Sequence, residues 1–196
     1  QVNLGTIVEA DTLIKLGFDE IILATGVYPR IPKIEGVDHS KVVSYLDVLE
    51  NRVEVGQRVA LIGAGGIGFD VAEFLLHSSP KGSKTDEALP STLDPQPPLP
   101  SIDEYLKTWG INPQYIDNGG LTTPHHGEPL REIYLCQRSA GKVGARLGKT
   151  TGWIHRAQLK NAQVTFLKDL SYQKIDDQGL HYLQKQGPRE TSHCID

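Results

Sequence analysis

The 196-residue chain contains no methionine and only two cysteines, Cys136 and Cys194. One lies in a predicted strand and the other near the last residue, so they supply neither a disulfide framework nor the repeated Cys/His spacing of a zinc site. A reducing, cytoplasmic setting is the simple inference. Aromatic residues make up 7% of the chain, and no apolar run is long enough to cross a bilayer. The sequence therefore predicts a soluble globular protein with no membrane partner. No basic stretch with a short apolar core opens the chain, which gives secretion no support. Formal net charge is -4 with scattered basic residues, against a general nucleic-acid surface. A chain that begins at Gln1 and lacks methionine is expected to be a piece of a longer protein.

The most informative stretch present is an apolar, β-branched run over residues 58–62 that breaks into Gly63-Ala64-Gly65-Gly66-Ile67-Gly68. Ile67, Val71, Phe74 and Leu75 then recur at helical spacing. This is the strand, glycine turn and helix that binds a dinucleotide diphosphate. Gly63 permits the tight turn, Gly65 lets backbone N–H groups approach the phosphates, and Gly68 lets the helix pack closely on the strand. The positive end of the helix then faces the anion. Glycine turns also occur where nothing binds, but here the flanks fit the ligand-binding pattern on both sides.

Along the chain, residues 2–8 read as a short strand and residues 18–26 as a buried strand ending in Ala24-Thr25-Gly26. Pro29, Pro32 and Gly36 then force an extended connection. Ser44 starts a short helix through about residue 51, with Asp47 completing an imperfect capping box. After the glycine-rich helix ends near His77, residues 78–100 hold Pro80, Pro90, Pro95, Pro97, Pro98 and Pro100 among Gly, Ser, Lys and Asp. Such a composition buries too little apolar surface to order itself firmly. A small helix follows at 101–109, stopped by Gly110, then a loop over 118–130 with His125-His126. A second strand is predicted at 132–137, a second helix at about 150–161 capped by Thr150 or Thr151, and a third strand at 164–167. A β-hairpin is predicted at 171–175 and 180–183, with a further strand missing or only begun at 192–196.

The exit of the second strand bears on which nucleotide binds. A site for NAD ends that strand in Asp or Glu for the ribose 2'-hydroxyl, whereas a site for NADP places Arg or Lys there. Here the strand runs into Gln137-Arg138, then Lys142, Arg146 and Lys149, without a carboxylate among them. NADP(H) is favoured, with Arg138 as the 2'-phosphate ligand. Lys142 and Arg146 flank it in a segment flexible enough to fold over the phosphate. A solvated basic loop is the alternative. Asp70 and Glu73 are surface carboxylates that could reach the cofactor, and Trp153 and His155 pack the second helix. Adjacent His125 and His126 point apart and form no metal site. No catalytic side chain is required, because hydride transfer is cofactor chemistry.

Residues 18–26, 44–49, 63–70 and above all Leu147-Gly148-Lys149-Thr150-Thr151-Gly152-Trp153-Ile154-His155-Arg156 resemble bacterial NADPH-dependent 2,4-dienoyl-CoA reductases, as does Ser171-Tyr172-Gln173-Lys174-Ile175-Asp176-Asp177 followed by Gly179-Leu180-His181. The resemblance implies a parent chain with a TIM barrel carrying FMN and a 4Fe-4S cluster, followed by FAD-binding and NADPH-binding domains. It also implies that Ala24, Thr25 and Gly26 lie near the flavin.

The expected fold is α/β: a Rossmann-like NAD(P)-binding domain with a mostly parallel sheet, a small β-hairpin addition and a partial segment of an adjoining FAD-binding domain. The expected divisions are 1–40 as the FAD-domain remnant, 41–57 as connecting helix and linker, and 58–196 as the NADP(H) domain with a loop insertion at 78–131. NADPH, the FAD-binding domain and the TIM barrel of the same parent chain are the implied partners. The implied activity is reduction of 2,4-dienoyl-CoA in unsaturated fatty-acid β-oxidation, with no turnover by this piece alone. The alternatives are a related NADH:flavin oxidoreductase of the trimethylamine dehydrogenase type, or a non-catalytic dinucleotide-sensing module.

Overall fold

A computed structural model describes residues 2–78 and 101–196. The proline-rich expectation for 78–100 lies, apart from Ser78, outside the described residues. The chain divides into two units, Gln1–Arg30 and Ile31–Asp196.

In the first unit, Glu9 starts α1 (Ala10–Leu16), and Gly17 ends it in the left-handed conformation at φ 64°. Gly17 returns its N–H to the Ile14 carbonyl, the usual way a glycine satisfies a late helical oxygen. The strands expected at 2–8 and 18–26 do not form among the described residues. Ile22 stays 90% exposed and Leu23 79%. A strand exists only through hydrogen bonds to a neighbour, and the described residues of this unit contain none. Strand-like composition therefore produces only irregular backbone there.

The second unit is built on two sheets. β1 (Arg58–Ile62), β2 (Glu132–Cys136) and β3 (Thr165–Leu167) form a parallel sheet in that order, in register from Arg58↔Glu132 to Ile62↔Cys136 and from Tyr134↔Thr165 to Cys136↔Leu167. The crossovers carry α3 (Gly66–His77) and α5 (Gly152–Asn161). Side-chain alternation along β2 sends Ile133 and Leu135 into a core with Phe69, Val71, Ala72 and Leu75 of α3 and Leu159 of α5. Tyr134 and Cys136 face the other way, into a second core with the antiparallel sheet. Phe69 meets Phe166 edge to face at 5.8 Å.

That antiparallel sheet is β4 (Leu170–Asp176), β5 (Gly179–Gln186) and β6 (Arg189–Ile195). The expected hairpin thus gains a full third strand where only the start of one was foreseen. Gly179 makes the turn at φ 118°, where an added Cβ would lie 1.9 Å from the Ile195 carbonyl oxygen. Residues after Ile31 already pack here. Ile34 joins the second core, Ile175 donates its N–H to the Glu35 carbonyl at 2.8 Å, and Lys41 pairs with Asp196 at 2.9 Å. The contact boundary falls at Arg30/Ile31, ten residues before the division placed at 40. Between these elements, Ser44 caps α2 (Tyr45–Leu49) by accepting from the Asp47 N–H.

Between α3 and β2 the chain forms α4 (Ile102–Trp109), whose Ser101–Glu104 capping box is complete. Gly110 then turns it at φ 64°, and Thr122 and His125 donate backbone N–H groups to Gly110 and Lys107. Ile102 of α4, and Tyr115 and Ile116 beyond it, are more than 70% exposed.

One buried charge fastens this insertion. Arg131 is 5% exposed, and its guanidinium donates to the carbonyls of Gly56 at 3.1 Å and Leu75 at 2.9 Å, and also to that of Ser78. Among the described residues it bonds backbone carbonyls and the Ser78 hydroxyl, and burial lowers its pKa. The cation stands on the C-terminal carbonyls of α3, where the helix dipole favours it. Arg131→Met fills the same space but orphans those oxygens. The expected cost is about 3 kcal/mol, read as a lower urea midpoint, and an unchanged midpoint would contradict the clamp.

Candidate functional site

Because the sheet is parallel, the C-terminal ends of β1, β2 and β3 share one edge, where ligands of such sheets bind. Gly63 leaves β1 at φ 124° and donates its N–H to the Cys136 carbonyl at 3.0 Å. The glycine turn is thus tied to the exit of β2. Gly65 is the N-cap of α3, with no side-chain cap and no acidic residue in the first helical turn. The early amides of this 12-residue helix therefore have no side-chain cap among the described residues.

A Cβ added at Gly65 or Gly66 would meet nothing within 4 Å, whereas one at Gly68 would lie 1.9 Å from the Gly63 carbonyl oxygen. The first two glycines keep the space outside the turn open, and the third closes the helix onto the strand. Ala64 is half-buried against the first core, and Ile67 is 48% exposed beside the turn. Bare amides, an open glycine face and a helix N-terminus together suit a diphosphate.

At the β2 exit, Gln137 bonds the Leu167 carbonyl through its N–H at 2.8 Å. Arg138, Lys142, Arg146 and Lys149 are exposed. The segment is not the flexible strap expected from its glycines. Val143 is buried in the first core, Gly144 sits so tightly that a Cβ would lie 2.6 Å from the Phe69 ring, and the Arg156 guanidinium donates to the Gly144 carbonyl at 3.0 Å. Lys142 and Arg146 therefore stand on either side of a fixed point.

Two other expectations need correction. Neither Thr150 nor Thr151 caps α5 with its side chain; Thr151 is the N-cap residue but already has helical backbone, so its hydroxyl makes no cap bond. Trp153 does not pack, being 58% exposed. Gly152, Arg156 and Leu159 occupy the inward stripe of α5, and Trp153 falls outside it. His155 faces Glu73 across the α3–α5 seam, with Nδ1 and Oε2 3.6 Å apart, so Glu73 is engaged on the helix flank. Asp70 is exposed.

Ala24, Thr25 and Gly26 are exposed in the first unit, with Gly26 at φ 75°. Cys136 is fully buried at the β2 end, where burial pushes its thiol up to about 12, so it stays protonated and unreactive at neutral pH. Burial likewise pushes the Tyr172 phenol up, opposed by the positive charge of nearby Arg138.

The structure also brings in residues that the linear order conceals. Asp169 donates its N–H to the Ser139 carbonyl at 3.3 Å and Leu170 donates to Gln137 at 3.2 Å. Lys168 and Asp169 thus stand beside the Arg138 loop. The signal was available in principle, since a third parallel strand next to the second must end at the same edge.

Residues 3–186 match the family model described as pyridine nucleotide-disulphide oxidoreductase. The chain belongs to that family. The match gives the α/β Rossmann-like fold an independent footing, and the family implies binding of FAD and a nicotinamide dinucleotide. Among curated relatives, the chain is 40% identical over 75 residues to a cinnamate reductase of Clostridium sporogenes, covering 38% of this chain and 11% of that protein. It is 25% identical over 163 residues to a metal reductase of Desulforamulus reducens, covering 83% and 21%. A third match is 30% identical over 101 residues to an NADH oxidase of Thermoanaerobacter brockii, covering 50% and 16%. The fold resembles a solved 2-naphthoyl-CoA reductase in complex with 2-naphthoyl-CoA at a TM-score of 0.56 and 19% identity, over 97% of this chain and 21% of that one. The chain spans about a fifth or less of the length of these relatives. Among the described residues, no helix of this oxidoreductase module is long and apolar enough to cross a membrane.

Proposed function

We propose that this oxidoreductase module is the NADP(H)-binding part of a flavoenzyme of the 2,4-dienoyl-CoA reductase type. The observation that carries the proposal is the open, uncapped glycine turn of α3 beside a β2 exit bearing Arg138, Lys142 and Arg146. In this reading the amides following Gly65 hold the diphosphate, with Gly63, Ala64, Gly66, Ile67 and Gly68 shaping the turn. Arg138 holds the 2'-phosphate with its planar fork, and Lys142 and Arg146 screen the remaining charge. Bound there, NADPH supplies a hydride for FAD. Gln1–Arg30 is proposed as part of the FAD-binding domain, with Ala24, Thr25 and Gly26 near the flavin, residues 41–57 as connector and 58–196 as the nucleotide domain. FMN, a 4Fe-4S cluster and a barrel domain are proposed for the remainder of the enzyme, in a cytoplasmic setting.

The substrate class is proposed from the resemblance of residues 147–156 and from two relatives. Cinnamate and 2-naphthoyl-CoA, in the names of those relatives, both place a carbonyl in conjugation with carbon–carbon double bonds, as a 2,4-dienoyl thioester does.

Fluorescence titration of the full chain with NADPH and NADH tests the nucleotide assignment. NADPH is expected to bind more tightly, and Arg138→Ala to lower NADPH affinity about tenfold with little effect on NADH. Equal affinities of the unmodified chain for both nucleotides would remove the 2'-phosphate assignment.

A further inference from the structure

A cavity of about 390 Å³ opens at the edge of the parallel sheet, lined in part by Ala140, Gly141, Lys168, Asp169, Lys185 and Gly187. Its size is that of a small-molecule subsite. Three separate stretches of chain meet there: the loop after β2, the turn after β3 and the end of β5. Backbone bonds fix the meeting point, from Asp169 N–H to Ser139 and from Lys185 N–H to Asp169 at 3.1 Å. Gln184 Nε2 adds a bond to the Lys168 carbonyl at 3.3 Å. Gly141 at φ 94° and Gly187 at φ 66° leave the rim open, with nothing within 4 Å of an added Cβ at either.

The wall carries two exposed ammonium groups, Lys168 and Lys185, which have no side-chain partner among the described residues. The carboxylate lining the cavity is Asp169, held at φ 60°, and Glu190 stands opposite Lys185 in the β5–β6 register. Arg138, one residue before Ser139, brings a third positive charge to the same loop. Two cations in the cavity wall and a third on the loop that borders it, from three chain segments, form a surface for an anion with several oxygens.

We infer that Lys168 and Lys185 are further specificity-determining residues, which hold the phosphorylated ribose edge of the nucleotide together with Arg138. This rests on the nucleotide reading above and deepens it. Positive charge outweighs the carboxylate, so the 2'-phosphate is favoured over a bare 2'-hydroxyl. Asp169 then acts against the phosphate, and its carboxylate is the part of the wall that opposes NADPH.

The test uses the full chain titrated with NADPH and NADH at low and high salt. Lys168→Gln/Lys185→Gln is expected to weaken NADPH about tenfold at low salt, to leave NADH within about twofold, and to flatten the salt dependence of NADPH binding. Both lysines are exposed, so the fold should survive, and circular dichroism checks it. Asp169→Asn keeps a residue tolerant of the left-handed conformation and is expected to tighten NADPH severalfold. Full NADPH preference in the double lysine variant, alongside its loss in Arg138→Ala, overturns the inference and leaves the nucleotide reading standing. Weakened NADH binding in Asp169→Asn also overturns it, because the cavity would then be built for the hydroxyl. If the unmodified chain binds neither nucleotide, the nucleotide reading fails and the inference with it.

Discussion

Alanine at position 68 is expected to destabilise the fold by more than about 3 kcal/mol, a large part of what holds a domain of this size together. The methyl group would lie 1.9 Å from the Gly63 carbonyl oxygen and 3.5 Å from Leu135 Cδ1. The first obstacle is backbone and cannot rotate away. Relief requires α3 to lift from β1, which opens the core around Phe69, Ala72 and Leu75, all nearly fully buried. Urea denaturation followed by far-UV circular dichroism measures the change. A midpoint equal to that of the unmodified chain would mean that helix and strand are not in the close contact described.

Valine at position 65 is expected to do the opposite. Gly65 has extended backbone at φ -88° and ψ -173°, which any residue adopts, and its added side chain meets no protein atom nearby. Stability should stay within about 0.5 kcal/mol of the parent. The branched side chain would instead occupy the space in front of the uncapped amides, where the diphosphate is proposed to lie. NADPH affinity should fall at least about a hundredfold, close to 2.7 kcal/mol. Titration of Gly65→Val beside the unmodified chain decides the matter, and retained affinity would put the diphosphate elsewhere. Together the two variants separate glycine required by packing from glycine required by a ligand.

What could be read in advance was local. The apolar run into Gly63, the stripe of α3, the stop at Gly110 and the hairpin over 171–183 each lie within about a dozen residues, and each matches its element closely. Failures arose where the deciding partner was distant. Residues 18–26 have strand composition, yet a strand depends on its neighbour. β6 carries only one buried side chain, Ile195, so its sequence shows no inside–outside alternation, and pairing with β5 alone defines it. Trp153 looked like core until the inward stripe of α5 was fixed by Gly152, Arg156 and Leu159. Lys168 and Asp169 come beside the Arg138 loop only through the parallel crossover, and Arg131 meets the end of α3 only across an insertion, so no local pattern marks them.

The Arg131 clamp has a further consequence for how such a molecule can change over generations. Its guanidinium grips the last carbonyls of α3, the point of departure, while its own backbone begins the return into β2. The stretch between therefore leaves and returns through one cinched neck. Widening it costs little, because closure entropy grows only with the logarithm of length. The seam behaves as a socket into which different cartridges of chain can be plugged, leaving the glycine turn at the far edge of the sheet undisturbed.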